Sequence, residues 1–548
     1  MKRRTFLQSS LAATAVAPVL LGKTYARPST PLKLLAQLKP QGTANNNILV
    51  LVQLFGGNDG LNTIIPSQQG VVDPNYYTLR PNIGIAESAL TKYNFGGIYF
   101  NPGLANVGNK GGLFQMFQEG SLAVIRGIGY DPPNLSHFYS TDVWLSGIVP
   151  TSADYTFNTG WLGRMLEQQY PDFPATLPQD PLAINLGGFS LALDGSTSNM
   201  GIVVYPESAG SQIPGLSSTD DSLDANAIGT RYETEFAFVQ GVAEMSNTYA
   251  ARVKNAYSAG ITNPNLKGTY GSDTLAQQMK TVAALIAGGL NTSVYVVGTG
   301  GFDFHVNEVD EGDPTHATGA HTNLLGTVAD AIAQFQSDMV NLGSSTADRV
   351  IGFTVSEFGR RPYDNGSFGT DHGAASVQFA FGTQINGGVF GDPPVLSGKG
   401  FDANGDLDVQ IDFRSVYSAL LTDWFGMSLT DATTVLQDQT AGDGVNPLQG
   451  LIKSSSGVSP SAPVSLSLSV YPNPMASNGN ITLALPNGGY TEIEMASMDG
   501  KNVQQILART LAAGSYTIPL TTDVPSGAYL LSLRCGADRV ARVVEVIR

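Results

Sequence analysis

Four stretches of the chain are apolar and lack helical periodicity: residues 47–55 (NILVLVQLF), 122–125 (LAVI), 292–297 (TSVYVV) and 350–355 (VIGFTV). Short, β-branched runs of this kind predict strands buried on both faces. Shorter runs at 182–186 and 201–205 predict two more. Between them, apolar positions recur at three- and four-residue steps. The clearest case is 321–342, where Leu324, Leu325, Val328, Ile332, Phe335 and Met339 fall on one helical face. Similar spacing predicts helices at 112–120, from His137 through Trp144, from Trp161, around 232–257, at 273–290 and at 415–425. Strand and helix in alternation predict an α/β fold with a doubly wound, mostly parallel sheet.

Beyond residue 453 the pattern changes. Residues 454–463 (SSSGVSPSAP) form a Ser/Pro/Gly linker, and 464–470 alternates polar with apolar. Turn signals at Tyr471-Pro472-Asn473-Pro474, Asp499-Gly500, Gly514-Ser515-Tyr516 and Ser526-Gly527-Ala528-Tyr529 then mark off short strands. A small C-terminal all-β sandwich is expected over 464–548. At the other end, Lys2-Arg3-Arg4-Thr5-Phe6-Leu7 precedes an apolar run at 11–21 and the small residues near Ala26. Residues 1–26 therefore read as an export signal, twin-arginine-like or ordinary secretory, which leaves a core of 45–453. The apolar run is too short to span a bilayer comfortably, so no transmembrane segment is expected in the mature chain.

Composition narrows the chemistry. The 548 residues are 42% hydrophobic and 14% charged, with a formal net charge of −16. That balance excludes nucleic acid and anionic membrane as partners of the whole molecule. The only cysteine is Cys535, so no disulfide forms within the chain and no Cys-based zinc site exists. Any metal must be held by His, Asp, Glu or Asn.

Such residues gather just past the predicted strands. Asp59 lies in GGNDGLN after the first strand, and Asp303 and His305 lie in GFDFH after the third. Glu357 follows 350–355 directly, and Asp371-His372 comes on a second glycine-flanked turn. The C-terminal ends of the strands are where α/β sheets hold ligands. These six are the candidate metal ligands. Arg360 and Arg361 are candidate grips for an oxyanion. Pro132-Pro133 stops any helix before Asn134, so Ser136 and His137 begin the next one. Ser136 is the candidate nucleophile there, and a capping role for Asn134 or Ser136 is the alternative.

In these motifs the region 47–450 resembles the twin-arginine-exported family called domain of unknown function 1501: GGNDGLN, NLSHF, GWLGR, GFDFH, SEFGRR with NGSFGTDHG, and DFRSVYSALLTDWFG. That family is similar to a branch of the alkaline phosphatase and sulfatase superfamily, whose members use a metal-rich site at the strand ends and a Ser, Thr or modified Cys nucleophile. The resemblance implies that Asp59 is the acid after the first strand, Ser136 the nucleophile, and Asp303 with His305 a ligand pair. It places Glu357 at the superfamily's strand-end Asp and Asp371 with His372 at the later turn. Ser136 is followed by His137-Phe138 rather than Pro-x-Arg, which departs from formylglycine sulfatases. Phe358 stands where the superfamily often has His, which removes one ligand and points toward a single metal. The tail, with its YPNP start and basic end, resembles the C-terminal sorting domain of the type IX secretion system.

The expected protein is an exported, metal-dependent hydrolase of phosphate or sulfate esters on an alkaline-phosphatase-like fold, with Ser136 attacking and Arg360 or Arg361 stabilising charge. Its cofactor would be a divalent metal ion: zinc, calcium, magnesium or manganese. Its substrate would be a small-molecule or polysaccharide ester, its partner the secretion machinery, and its destination the periplasm or cell surface. The alternative is a non-catalytic surface protein, a binding module that retains the fold.

Overall fold

The computed structural model describes residues 45–453 and 467–547, apart from 69, 106–111, 153–154, 175, 188–189, 207–248, 437–444, 472, 486–488, 499–500, 512–513 and 536–537. The expected export signal and linker lie outside the described residues. So does most of the helix expected around 232–257, of which 249–260 is helical. The chain divides into two compact units, Met1–Ser454 and Ser455–Arg548.

The first unit is built on one sheet of nine strands: β1 (Ile48–Leu54), β2 (Leu122–Gly129), β3 (Ala183–Asn185), β4 (Gly201–Val203), β5 (Val294–Thr299), β6 (Val350–Val355), β7 (Ser376–Phe381), β8 (Gly388–Phe390) and β9 (Ile411–Asp412). Their order is β8-β2-β7-β6-β1-β5-β3-β4, with β9 pairing β2 further along the edge that β8 occupies. All seven residues of β1 are buried between β5 and β6, which is why its sequence is apolar throughout. The sheet is mixed. β7 runs antiparallel to β6 and to β2, while the other pairings are parallel. No crossover helix lies between Val355 and Ser376, so the chain turns back instead of crossing over. The returning segment is the one that holds most of the candidate site.

The helices that concern the site are α1 (His137–Ser146), α2 (Trp161–Gln169), α3 (Thr274–Ala287), α4 (Ala320–Asn341) and α5 (Phe413–Ala419). Helix α4 buries Leu325, Val328, Ile332, Phe335 and Met339 in the main core and lays Leu324 against its margin. No described helix is long and apolar enough to cross a membrane.

The second unit is a small antiparallel β region. Three strands (Ser467–Tyr471, Asn478–Leu485, Gly514–Thr521) make one sheet, and four (Gly489–Ser497, Asn502–Leu511, Gly527–Cys535, Asp538–Val546) make another. Ile481 and Leu483 from the first share a buried cluster with Ile493, Met495, Leu531 and Leu533 from the second. Cys535 is buried and in no disulfide, and its Sγ accepts from the Thr491 hydroxyl at 3.5 Å.

The loop after β1 encloses a charged network that composition gave no reason to expect. Asp59, Arg80, Glu308 and His321 are all essentially buried. Arg80 grips the Asp59 carboxylate through both terminal nitrogens and also donates to the carbonyls of Arg361 and Pro362. Glu308 accepts from Asn62 at 3.1 Å and from Thr370 at 3.2 Å. Burial, and then the negative charge of Asp59, push the Glu308 carboxyl well above its ordinary value, so it stays protonated beside the ionised Asp59. Burial opposes ionisation of Asp59 too, but Arg80 outweighs it and holds the group at about 2.

This network makes stability depend on pH. An unfolded Glu308 ionises near 4.5 while the folded one does not. Its contribution is complete below that value and is lost as pH rises above it, by at most about 1.4 kcal/mol per pH unit. Glu308→Gln keeps the shape and removes the proton. Urea unfolding between about pH 5 and 8 should show a flatter decline for the variant than for the parent. An identical decline would rule out a protonated Glu308.

Candidate metal centre

The site is assembled by one buried arginine. Residues Gly359–Arg360 pair antiparallel with His372–Gly373, setting Arg360 opposite His372. The Arg360 side chain donates from Nε to the Gly57 carbonyl at 2.8 Å and from Nη1 to the Thr370 carbonyl at 2.9 Å. Its Nη2 meets the carbonyls of Gly56 and Phe302 and the Asp303 Oδ1, the last at 2.7 Å. Two glycines make this approach feasible. Gly56 and Gly57 have φ of +121° and +77°, and a Cβ on Gly56 would stand 2.4 Å from the Asp303 nitrogen.

Around Asp303 stand three imidazoles. His305 Nε2 is 3.1 Å and His372 Nε2 3.2 Å from Asp303 Oδ1, and His137 Nε2 is 3.5 Å from Oδ2. His305 Nε2 and His372 Nε2 are 3.0 Å apart. The other nitrogen of each ring is occupied. His137 Nδ1 lies 2.7 Å from Glu357 Oε1, His305 Nδ1 3.2 Å from Asp371 Oδ1, and His372 Nδ1 2.9 Å from the Leu135 carbonyl. Those partners are acceptors, so a neutral ring with its proton on Nδ1 donates to them and turns an Nε2 lone pair toward Asp303, the tautomer that a bound cation selects.

With a cation bound, three lone pairs and a carboxylate converge there; without one, a ring Nε2–H such as that of His372 donates to Asp303 Oδ1, and Arg360 reaches only Asp303. Such an arrangement fits a cation. Four donors about 2.0–2.1 Å from one tetrahedral metal lie roughly 3.3 Å from each other. His305 Nε2, His372 Nε2 and Asp303 Oδ1 lie 3.0 to 3.2 Å apart, His137 Nε2 meets the other Asp303 oxygen at 3.5 Å, and His137, Asp303 and His372 offer ligand atoms that all lie within 4.8 Å of one another. Acceptors behind the imidazoles are the usual outer partners of metal-ligating histidines. Burial lowers the His372 imidazole, which favours its neutral form. Burial would raise Asp303, but Arg360 and His372 outweigh it and hold the carboxyl at about 2. Phe358 walls the site, with its ring centroid 4.5 Å from that of His372 and 4.8 Å from that of His137. The open side is Asp303 and His305, whose side chains are 47% and 43% exposed.

The structure places the sequence candidates in three groups. Asp303, His305 and His372 come together. Glu357 and Asp371 stand one shell back. Glu357 is buried, with its Oε1 taken by His137 and by the Gly56 amide at 2.8 Å, and Asp371 holds His305 from outside. Asp59 is not a ligand of this cluster, because Arg80 and the Leu61 amide occupy its carboxylate. The arginines differ from expectation too. Arg360 is buried and bonded to protein acceptors, and Arg361 is spent on Tyr363 at 2.5 Å and Asp406 at 3.4 Å, so neither is a free oxyanion grip. Ser136 precedes α1 as its N-cap residue; its amide donates to Asn134 Oδ1 and its hydroxyl makes no capping bond.

Sequence reasoning missed His137 as a ligand. The signal was present in NLSHF, since the first turn of a helix at a strand end can point either of two adjacent side chains inward.

A mixed α/β protein with an imidazole and carboxylate cluster at its strand ends is the class that fold and site define. Residues 210–438 match the family described as protein of unknown function (DUF1501), a span that includes Asp303, His305, Glu357, Arg360 and His372 but begins after His137. Residues 469–545 match the secretion system C-terminal sorting domain, which marks the chain as secreted or cell-surface and its tail as the part that meets the secretion machinery. No curated protein matches the chain.

Zinc titration of the purified protein should give one tight equivalent at pH 7.5. His137→Ala and Asp303→Ala should abolish it, and Glu357→Gln should weaken it by about 10- to 100-fold. Retention should fall as pH drops through about 6 to 5, where protonated imidazoles stop ligating. Undiminished zinc binding in His137→Ala would remove that residue from the site.

Proposed function

We propose that the chain is a secreted or cell-surface metal-dependent hydrolase of phosphate or sulfate esters, on an alkaline-phosphatase-like, doubly wound plan. The observation behind this reading is the convergence of three imidazole Nε2 atoms on Asp303, with an acceptor behind every Nδ1. Imidazole-rich donors with one carboxylate favour zinc over calcium or magnesium, which take oxygen ligands. When bound, such an ion polarises a phosphoryl or sulfuryl oxygen and lowers the pKa of nearby hydroxyl groups.

The residues of the chain supply the rest. His137, Asp303, His305 and His372 bind the ion, and Glu357, Asp371 and the Leu135 carbonyl orient the rings. Arg360 fixes Asp303 as a positioning residue. Ser136 lies between two members of this assembly: Leu135, whose carbonyl holds His372, and His137 itself. Its hydroxyl is at the N-terminus of the ten-residue α1, where negative charge on oxygen is stabilised. In this reading Ser136 Oγ loses its proton to solvent and attacks phosphorus or sulfur. The ester alcohol leaves with a proton from water, and a second water hydrolyses the seryl ester.

A second reading, a non-catalytic binding module, has one observation in its favour. Four protein donors around one ion would make a closed centre, the pattern of structural metal sites. Turnover separates the two. With p-nitrophenyl phosphate and p-nitrophenyl sulfate, the hydrolase reading expects zinc-dependent release of p-nitrophenol. Ser136→Ala should lower kcat by roughly 10³-fold or more with zinc content unchanged. Full zinc occupancy without turnover of either ester would favour the binding module.

A further inference from the structure

Away from the imidazoles, the edge of the sheet contains a cavity of about 300 Å³ that the proposed reaction does not use. It arises from an interruption in strand pairing. β8 pairs with Ala123–Ile125 of β2 and β9 with Ile128–Gly129, which leaves Arg126 and Gly127 in the break while residues 391–410 arch over it. The pairing of β2 with β7 slips at the same point. Ser376 faces Ile128 and Val377 faces Arg126, so Gly127, at φ +64°, is an extra residue in a bulge. Bulges of this kind re-aim a neighbouring side chain.

The neighbour is Arg126. It lines the cavity, is only 8% exposed, and has one described side-chain hydrogen bond, from Nη2 to the Gly391 carbonyl at 2.9 Å. A guanidinium has five N–H donors, and the Arg126 Nε has no acceptor among the described residues. No described carboxylate lies within ion-pairing distance of it; Asp392 and Asp408 line the cavity but are exposed. Lys399, also exposed, adds a second cation to the lining. Much of the remaining wall is apolar: Leu61, Ile64, Val377, Pro394, Val395 and Leu407. Asp392 acts on Arg126 only through space, and burial still opposes the guanidinium's charge, so its unsatisfied Nε calls for an anion from outside.

We infer that this cavity is a second binding site, for a small molecule with an oxyanion head (carboxylate, sulfonate or phosphonate class) on an apolar body of about one ring. The head meets Arg126 and Lys399, and the body lies against the apolar wall. The volume is at the lower end of small-molecule sites, which limits the ligand to that size. No lining residue belongs to the imidazole cluster, so this inference does not depend on the proposed hydrolysis.

The test is calorimetric titration of the full purified protein with benzoate, benzenesulfonate and phenylphosphonate, and with benzamide as the neutral control. At least one anion should bind while benzamide does not, and the tightest names the head group. Arg126→Met should weaken that anion at least tenfold, and Val395→Trp, on the exposed rim, should block it by filling the cavity. Zinc content should be unchanged in both. Should Arg126→Met fail to fold, the Val395→Trp result decides alone. The inference is overturned if no anion binds, if benzamide binds as well as the anions, or if binding survives in the folded variants, which would place it elsewhere.

Discussion

The arrangement depends on what the Arg360 guanidinium holds. It joins the loop after β1 at Gly56 and Gly57, the segment after β5 at Phe302 and Asp303, and the returning strand at Thr370. Each of those segments brings a part of the site: the Gly56 amide that helps orient Glu357, the Asp303 carboxylate, and His372 two residues past Thr370. A planar, multiply donating cation can do this where lysine, with one donor centre, cannot. The cost of burying its charge is met by Asp303 and four carbonyls, and in return Asp303 is fixed in place and ionised.

Beneath this lies a second layer with the opposite logic. Arg80 and Asp59 form a closed pair, with Glu308 kept neutral beside them and Thr370 bridging toward Arg360. The Arg80 side chain also holds the carbonyls of Arg361 and Pro362, so it fixes the start of the segment that ends at His372. The visible imidazole cluster thus rests on a buried charged base, and the glycines in GGNDG allow the backbone to come near both. Acidic residues at strand ends were read in the sequence as one set; in space they serve two layers, one that faces solvent and one that supports it.

What was legible in the sequence follows from the range of the interactions involved. β1 and β6 are apolar over their whole length because both faces are buried, and α4 shows its core face at helical spacing, so both were readable from local pattern. The reversal of β7 was not, since strand direction is set by how the 356–375 connection packs and not by periodicity. Asp303 and His305 were readable as a pair because they are two apart past a strand. That Glu357 orients His137 across 220 residues, and that Asp59 is consumed by Arg80, are tertiary facts with no local signature. The sorting tail was legible throughout, because turn motifs at regular spacing and a YPNP start are local features.

The measurement that tests the account most directly is the anomalous difference density of a crystal grown with zinc. A single strong peak within about 2.0–2.3 Å of Nε2 of His137, His305 and His372 and of an Asp303 oxygen is the result expected. A peak held by Asp59 or Glu357, or none near the imidazoles at full zinc exposure, would contradict the centre from which the proposed function was drawn.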